Sequence, residues 1–198
     1  MSTVFDRVSL LYRESQNGEP PELFSDQRLE GVTRFRSAAV LIAFTERAEG
    51  PGILLLHRPS NMRSHPGQIA LPGGGIDPGE TPTEAALRES WEELGIHQHD
   101  VRVVGTGDVY HTHSGFEITP VLGVVPADIE INPNPTEVAQ WFEAPAGFLL
   151  DPASHKQQWI DREGALRAYY EISWQEHRIW GITAAIIVNL SRRLRWHG

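Results

Sequence analysis

Residues 74–96 read Gly74-Gly75-Ile76-Asp77-Pro78-Gly79-Glu80-Thr81-Pro82-Thr83-Glu84-Ala85-Ala86-Leu87-Arg88-Glu89-Ser90-Trp91-Glu92-Glu93-Leu94-Gly95-Ile96. A glycine-rich loop leads into a helix whose two ends are both marked. Thr81 can cap the start, with Pro82 at the first helical position and Glu84 three residues on, the pattern of a capping box. Gly95 stands where a C-terminal glycine is expected. At roughly 100° per residue, Glu89, Glu92 and Glu93 fall within an arc of about 100°. Leu87, Trp91 and Leu94 cluster on the opposite side, so one face is expected to be buried while the other gathers three negative charges. Like charges at this spacing destabilise an isolated helix by roughly 0.2–0.5 kcal/mol per pair, and a divalent cation reverses that term. Carboxylate oxygens are the hard ligands that Mg²⁺ prefers. The glycines let backbone groups approach a metal or phosphate closely. Arg88 lies one turn before Glu92 and can also reach back to Glu80.

Working outward, Ser37–Phe44 and Gly52–His57 read as buried strands joined by a polar turn, and Arg58–Ala70 reads as a loop broken by Pro59, Pro66 and Gly67. Leu71–Gly75 continues as loop. Strand signals return at Val101–Val104 and at Phe116–Val125, with shorter ones at Tyr169–Ile172 and Arg178–Trp180. Trp141–Phe148 reads as turn-rich. Gly181–Trp196 is an amphipathic helix with Ile182, Ile186, Leu190 and Leu194 on one stripe and Arg192, Arg193 and Arg195 in its last turn. Residues 1–30 form an N-terminal extension with a weak amphipathic helix (Val4, Val8, Leu11, Tyr12) before the Asn17–Pro21 loop. No repeat or linker divides the 198 residues, which are read as one domain with the extension packed on it.

The chain has no cysteine, which excludes disulfides, thiolate zinc sites and thiol nucleophiles. A net charge of −9 argues against nucleic acid held on a broad basic surface. It is compatible with a small phosphorylated ligand, for which a metal and a few arginines supply local positive charge. No apolar stretch is long enough to span a bilayer, and no secretory signal is visible, so a cytoplasmic protein without membrane or nucleic-acid partners is expected. The spacing His111-Thr112-His113 suits a transition metal but lacks a third ligand, and reads as ordinary surface histidines.

Gly74, Glu80, Arg88, Glu89, Glu92, Glu93 and Gly95 together reproduce the pattern G-x5-E-x7-R-E-U-x-E-E-x-G-U, with U a bulky apolar residue. Seven fixed positions match by chance on the order of once in 10⁸ windows. The stretch thus resembles the box of the Nudix hydrolase family, with Ser90 as its one departure from an apolar position. The resemblance implies an α/β fold, an α/β/α sandwich with a mixed β-sheet. It implies Mg²⁺, or Mn²⁺, held by Glu89 and Glu93, with Glu92 as a third ligand or the base and the Gly74 carbonyl as a further ligand. Arg88 would orient Glu89 and pair with Glu80. A fourth carboxylate often completes such sites, and Glu117 and Glu137 are the two candidates.

Upstream, Leu54, Leu55, Arg58, Arg63, Gly67, Pro72, Gly73 and Gly74 match L-L-T-x-R-S-x3-R-x3-G-x3-F-P-G-G, with Leu56, Pro59 and Leu71 departing from it. This segment resembles the coenzyme A pyrophosphatase branch. The resemblance implies hydrolysis of coenzyme A or a derivative, with Arg58, Arg63, Gly67 and Gly73 contacting substrate. Two arginines suit a ligand bearing a 3′-phosphate beside its diphosphate, because guanidinium groups fork phosphate oxygens. The alternatives are another nucleoside diphosphate derivative, such as ADP-ribose, a nucleoside triphosphate, or a silent nucleotide-binding sensor.

Overall fold

The structure, a computed structural model, describes residues 3–26, 28, 29, 31–61, 66–162 and 164–196. Its elements run α1 (Val4–Asn17), β1 (Arg36–Thr45), β2 (Gly52–His57), β3 (Ile69–Ala70), β4 (Gly73–Gly75), α2 (Pro82–Leu94), β5 (Arg102–Thr106), β6 (Tyr110–His111), β7 (Phe116–Val125), β8 (Gln140–Pro145), α3 (Ala146–Leu149), β9 (Lys156–Arg162), β10 (Ala165–Trp174), β11 (His177–Trp180) and α4 (Ile182–Leu194).

β1 and β2 are near-continuous apolar runs because both of their faces are covered. Ala39, Leu41 and Ala43 of β1, with Leu54 and Leu56 of β2, pack with Ala85, Ala86 and Leu94 of α2. The alternate residues Ile42, Phe44, Ile53 and Leu55 pack instead with Ala184, Ile187 and Val188 of α4. β1 pairs parallel with β7 from Arg36 opposite Phe116 to Thr45 opposite Val125, and antiparallel with β2 and β4. β8 and β3 pair antiparallel with β2, and β5 and β6 with β7. The result is the expected α/β/α sandwich around a mixed sheet. β9, β10 and β11 form a second, antiparallel sheet on which α4 also packs. That extra cover explains why α4 is buried well beyond a single stripe, through Ala184–Ser191.

The N-terminal helix packs on α4 and β5. The segment after it is held by side chains. Asn189 Oδ1 accepts the Phe24 N–H (2.8 Å) while its Nδ2 donates to the Phe24 carbonyl (2.9 Å), so one amide stands in for a neighbouring strand. Asp26, 8% exposed, accepts hydrogen bonds from the Arg28 guanidinium and from the N–H and Nδ1 of His113. Hydrogen bonds from Arg28 and His113 outweigh burial and hold its carboxyl far below the usual range. His111 faces Glu117 instead, so the two histidines of the H-x-H spacing go to different carboxylates.

Three readings of the sequence are corrected. Trp141–Phe148 is not a string of turns but the end of β8 followed by α3, because Gln140–Pro145 finds the free edge of β2. The Arg58–Ala70 and Leu71–Gly75 loops contain β3 and β4, the latter made of three glycines aligned only by β1. Strand β9 (KQQWIDR) has no apolar alternation and exists through its pairing with β10. Arg63 lies outside the described residues. Among the described residues no helix is long and apolar enough to cross a membrane.

Asn189→Ala leaves the Phe24 N–H and carbonyl without their partner. It is expected to lower unfolding free energy by about 1–3 kcal/mol, read as a lower urea midpoint with unchanged m-value.

Candidate active site

Thr81 caps α2 as the sequence indicates: its Oγ1 accepts the Glu84 N–H, and Glu84 accepts the Thr81 N–H in return. Gly95 closes the helix in the left-handed conformation at φ 71°. The wheel reading of its faces is corrected, however. The buried residues are Ala85, Ala86, Ser90, Glu93 and Leu94, whereas Trp91 is 47% exposed and meets the tilted ring of His97. Small side chains at 85, 86 and 90 let the helix lie against β1 and β4, and the bulky Leu87 and Trp91 are left at the rim. Ser90, the departure from the apolar pattern, is fully buried, and its hydroxyl donates to the Ala86 carbonyl at 2.6 Å. The carboxylates therefore do not oppose the buried face. Glu93 lies within it.

Glu93 is 3% exposed, and its Oε2 accepts the Gly73 N–H at 2.8 Å. Burial raises its pKa to about 8; Glu89 and Glu137 push the same way, while the Gly73 N–H and Arg58 oppose it. Burial likewise raises the pKa of Glu89, against the stabilising hydrogen bond from Arg88. Gly73 itself must be glycine, since at φ +155° a Cβ would stand 2.3 Å from the Ala39 carbonyl oxygen. At Gly74 a Cβ would meet the Glu89 carboxylate at 2.5 Å, so the bare backbone of β4 lies directly against that side chain.

Arg88 is the hub of the outer carboxylates. Its Nε and Nη2 fork Glu80 (2.8 and 3.0 Å), Nη1 donates to Glu89 (2.8 Å) and more distantly to Glu92 (3.3 Å), and Nη2 reaches the Gly75 carbonyl (2.9 Å). This pairing raises the Arg88 pKa and lowers that of Glu80. The loop after β7 closes on the helix end through Asn132 and Asn134, whose N–H groups bond the Leu94 and Glu93 carbonyls. That loop carries Glu137, so of the two candidate fourth carboxylates it is Glu137 whose charge acts on Glu89 and Glu93. Glu117 is instead hydrogen-bonded to His111 at 3.1 Å. Arg58 faces Glu93, and its Nε is buried without a protein partner. Gly67 is exposed at φ +67°, its N–H bonded to the Pro59 carbonyl.

Among the described residues, no three acidic or histidine side chains stand in ready metal-ligating geometry, because Arg88 draws Glu89 and Glu92 to itself. The donor set nevertheless fits a hard divalent cation. Five carboxylates (Glu80, Glu89, Glu92, Glu93 and Glu137) meet two guanidinium groups (Arg58 and Arg88), and the most buried carboxylate has only one N–H as a partner. All the side-chain donors are oxygens, the choice of Mg²⁺ rather than of a softer metal.

A sequence model of the NUDIX domain matches residues 34–164. Proteins described as "Uncharacterized Nudix hydrolase NudL" are similar along most of the chain. That of Enterobacter sp. (strain 638) is 37% identical over 175 residues, covering 87% of this chain and 90% of its own. That of Yersinia pestis (strain Pestoides F) is 40% identical over 161 residues, covering 80% of each. Among solved structures, a Nudix hydrolase from M. smegmatis, RenU, is similar with a TM-score of 0.49 and 26% identity, over 56% of this chain and 71% of its own.

The folded state holds the Glu93 proton up to about pH 8, whereas an unfolded glutamate releases it near 4.5. Below pH 4.5 the group is protonated in both states; between 4.5 and 8 only the folded state retains the proton, so stability falls as pH rises through that window. EDTA-treated protein is therefore expected to show a Tm that declines from pH 5 to pH 8, and Glu93→Gln is expected to flatten the decline.

Proposed function

The chain belongs to the Nudix hydrolase family, and on that premise we propose that it hydrolyses coenzyme A to 4′-phosphopantetheine and adenosine 3′,5′-bisphosphate with Mg²⁺. The observation that carries the metal-dependent chemistry is the buried Glu93 carboxylate beside Glu89 and the bare Gly74 backbone, a cluster of oxygens short of positive charge. Glu89 and Glu93 hold the cation, with the Gly74 carbonyl as a further oxygen. When bound, Mg²⁺ neutralises charge on the diphosphate oxygens and lowers the pKa of a coordinated water.

The other roles belong to this chain's side chains. Arg88, itself fixed by Glu80 and the Gly75 carbonyl, keeps Glu89 aimed at the cluster. Glu92 is the most exposed of the three helix carboxylates and has only the 3.3 Å contact with Arg88. It is thus the freest to accept the proton that the attacking water gives up. The water oxygen forms a bond to one phosphorus as the bridging P–O bond breaks, and the other phosphate leaves with that electron pair. Arg58 and Arg63 take phosphate oxygens of the substrate, and the unpartnered Nε of Arg58 supports this role. The two arginines and the glycines at 67 and 73, in register with the box, favour coenzyme A over its siblings.

A panel of coenzyme A, ADP-ribose and nucleoside triphosphates with Mg²⁺ tests the substrate. Coenzyme A is expected to have the highest kcat/KM; faster turnover of either rival transfers the assignment to it. Binding without product over long incubation would point to a sensor. Glu93→Gln is expected to lower kcat by about 10²–10⁴-fold with the fold retained, checked by phosphate-product release and circular dichroism. Full activity in that variant would remove Glu93 from the site.

A further inference from the structure

A pair of histidines outside the carboxylate cluster, His57 and His177, is left without a role by this chemistry. His57 is the last residue of β2 and Arg58 follows it, so their side chains leave the strand on opposite sides. Arg58 continues the strand's pairing by donating its N–H to the Gln68 carbonyl at 2.9 Å, and turns toward Glu93. His57 turns toward the second sheet, where its Nε2 lies 3.0 Å from Nδ1 of His177, the first residue of β11. His177 is 5% exposed and lies flat on Phe142 of β8, with ring centroids 3.7 Å apart and planes 4° from parallel. A second tie runs beside it, from the Thr183 hydroxyl at the start of α4 to the Ile69 carbonyl of β3.

Two imidazoles facing through their nitrogens need one proton between them. A neutral or singly protonated pair meets that condition. A doubly protonated pair sets two N–H groups head to head and parts. Burial, and next the charge of His177, hold the His57 pKa below the ordinary 6.5, which confines the second protonation to acid. The charged group facing the pair is Glu176, whose Oε1 is 3.7 Å from His177 Nε2. From β8 the pair meets Gln140 and Phe142, and from β3 it meets Ile69, none of which titrates; Arg178 on β11 is turned onto Glu171.

We infer that His57 and His177 are a positioning pair: their hydrogen bond ties the end of β2 to β11 and so fixes the point from which Arg58 reaches a substrate phosphate. This rests on the phosphate-binding reading of Arg58 given above, and the test separates the two. Steady-state kinetics use Mg²⁺ and coenzyme A, or ADP-ribose if the panel ranks it first. His57→Leu is expected to raise KM about five- to tenfold at pH 7.5, with kcat within about twofold, as for the loss of one hydrogen bond. His57→Gln places an amide where Nε2 stands. It is expected to restore KM at pH 7.5 and to abolish the rise in KM expected of the wild type in acid. In an Arg58→Ala background His57→Leu is expected to add nothing further.

An equal effect of His57→Leu in both backgrounds, or no effect where Arg58→Ala raises KM, overturns the positioning role alone. Unchanged KM in Arg58→Ala overturns the reading of Arg58. If His57→Leu fails to fold, the glutamine variant decides: an acid rise in KM that persists in His57→Gln overturns the proposal.

Discussion

A carboxyl group on the buried face of a helix resists ionisation, and Glu93 is such a group. Desolvation disfavours its charge, and a single backbone N–H offsets only part of that cost. Much of the surrounding structure answers to this constraint. The glycine run must come within reach of Glu93 and Glu89, which forces backbone conformations and close approaches that a side chain would prevent. Arg88 must gather the outer carboxylates so that they do not add their full repulsion to the buried one. The small residues Ala85, Ala86 and Ser90 bring the helix against the sheet, and without them the carboxylate would face water.

What the sequence made legible follows from how local each signal is. Both caps of α2 were readable because a capping box and a terminal glycine act within a few residues. β1, β2 and β7 were readable because strands covered on both faces become uninterrupted apolar runs. β4, β8 and β9 were not, since three glycines, a segment containing Glu143 and Pro145, and the polar KQQWIDR acquire strand form only from their partners. Glu143 illustrates the point: its carboxylate is held by Thr45 at the end of β1 and by Arg47 just beyond it, which no window of sequence reveals.

The site divides in the same way. The spacing of Glu80, Arg88, Glu89, Glu92 and Glu93 announced an acidic cluster, and the structure adds which member is buried and which pairs with arginine. A helical wheel orders residues around an axis but does not say where the sheet lies, so it assigned Trp91 to the interior and Glu93 to the outside. That Glu137 rather than Glu117 acts on the helix carboxylates depends on the loop that folds back over the helix end. The Gly73 N–H bonded to Glu93 had no side-chain signal at all, because the partner is backbone.

The parallel pairing of β1 with β7 has a further consequence, for motion. β1 is bonded on both edges and covered by helices on both faces, so its amides can meet solvent only when the whole molecule opens. The β9–β10 hairpin is different: Trp159 and Leu166 are more than half exposed and β9 is an edge strand, so that arm can open by itself. Hydrogen exchange should therefore run on two clocks, a slow one set by global unfolding in β1 and β7 and a fast one in the arm. β2 ends between them, bonded to the slow core along its length and touching the smaller sheet at its last residue.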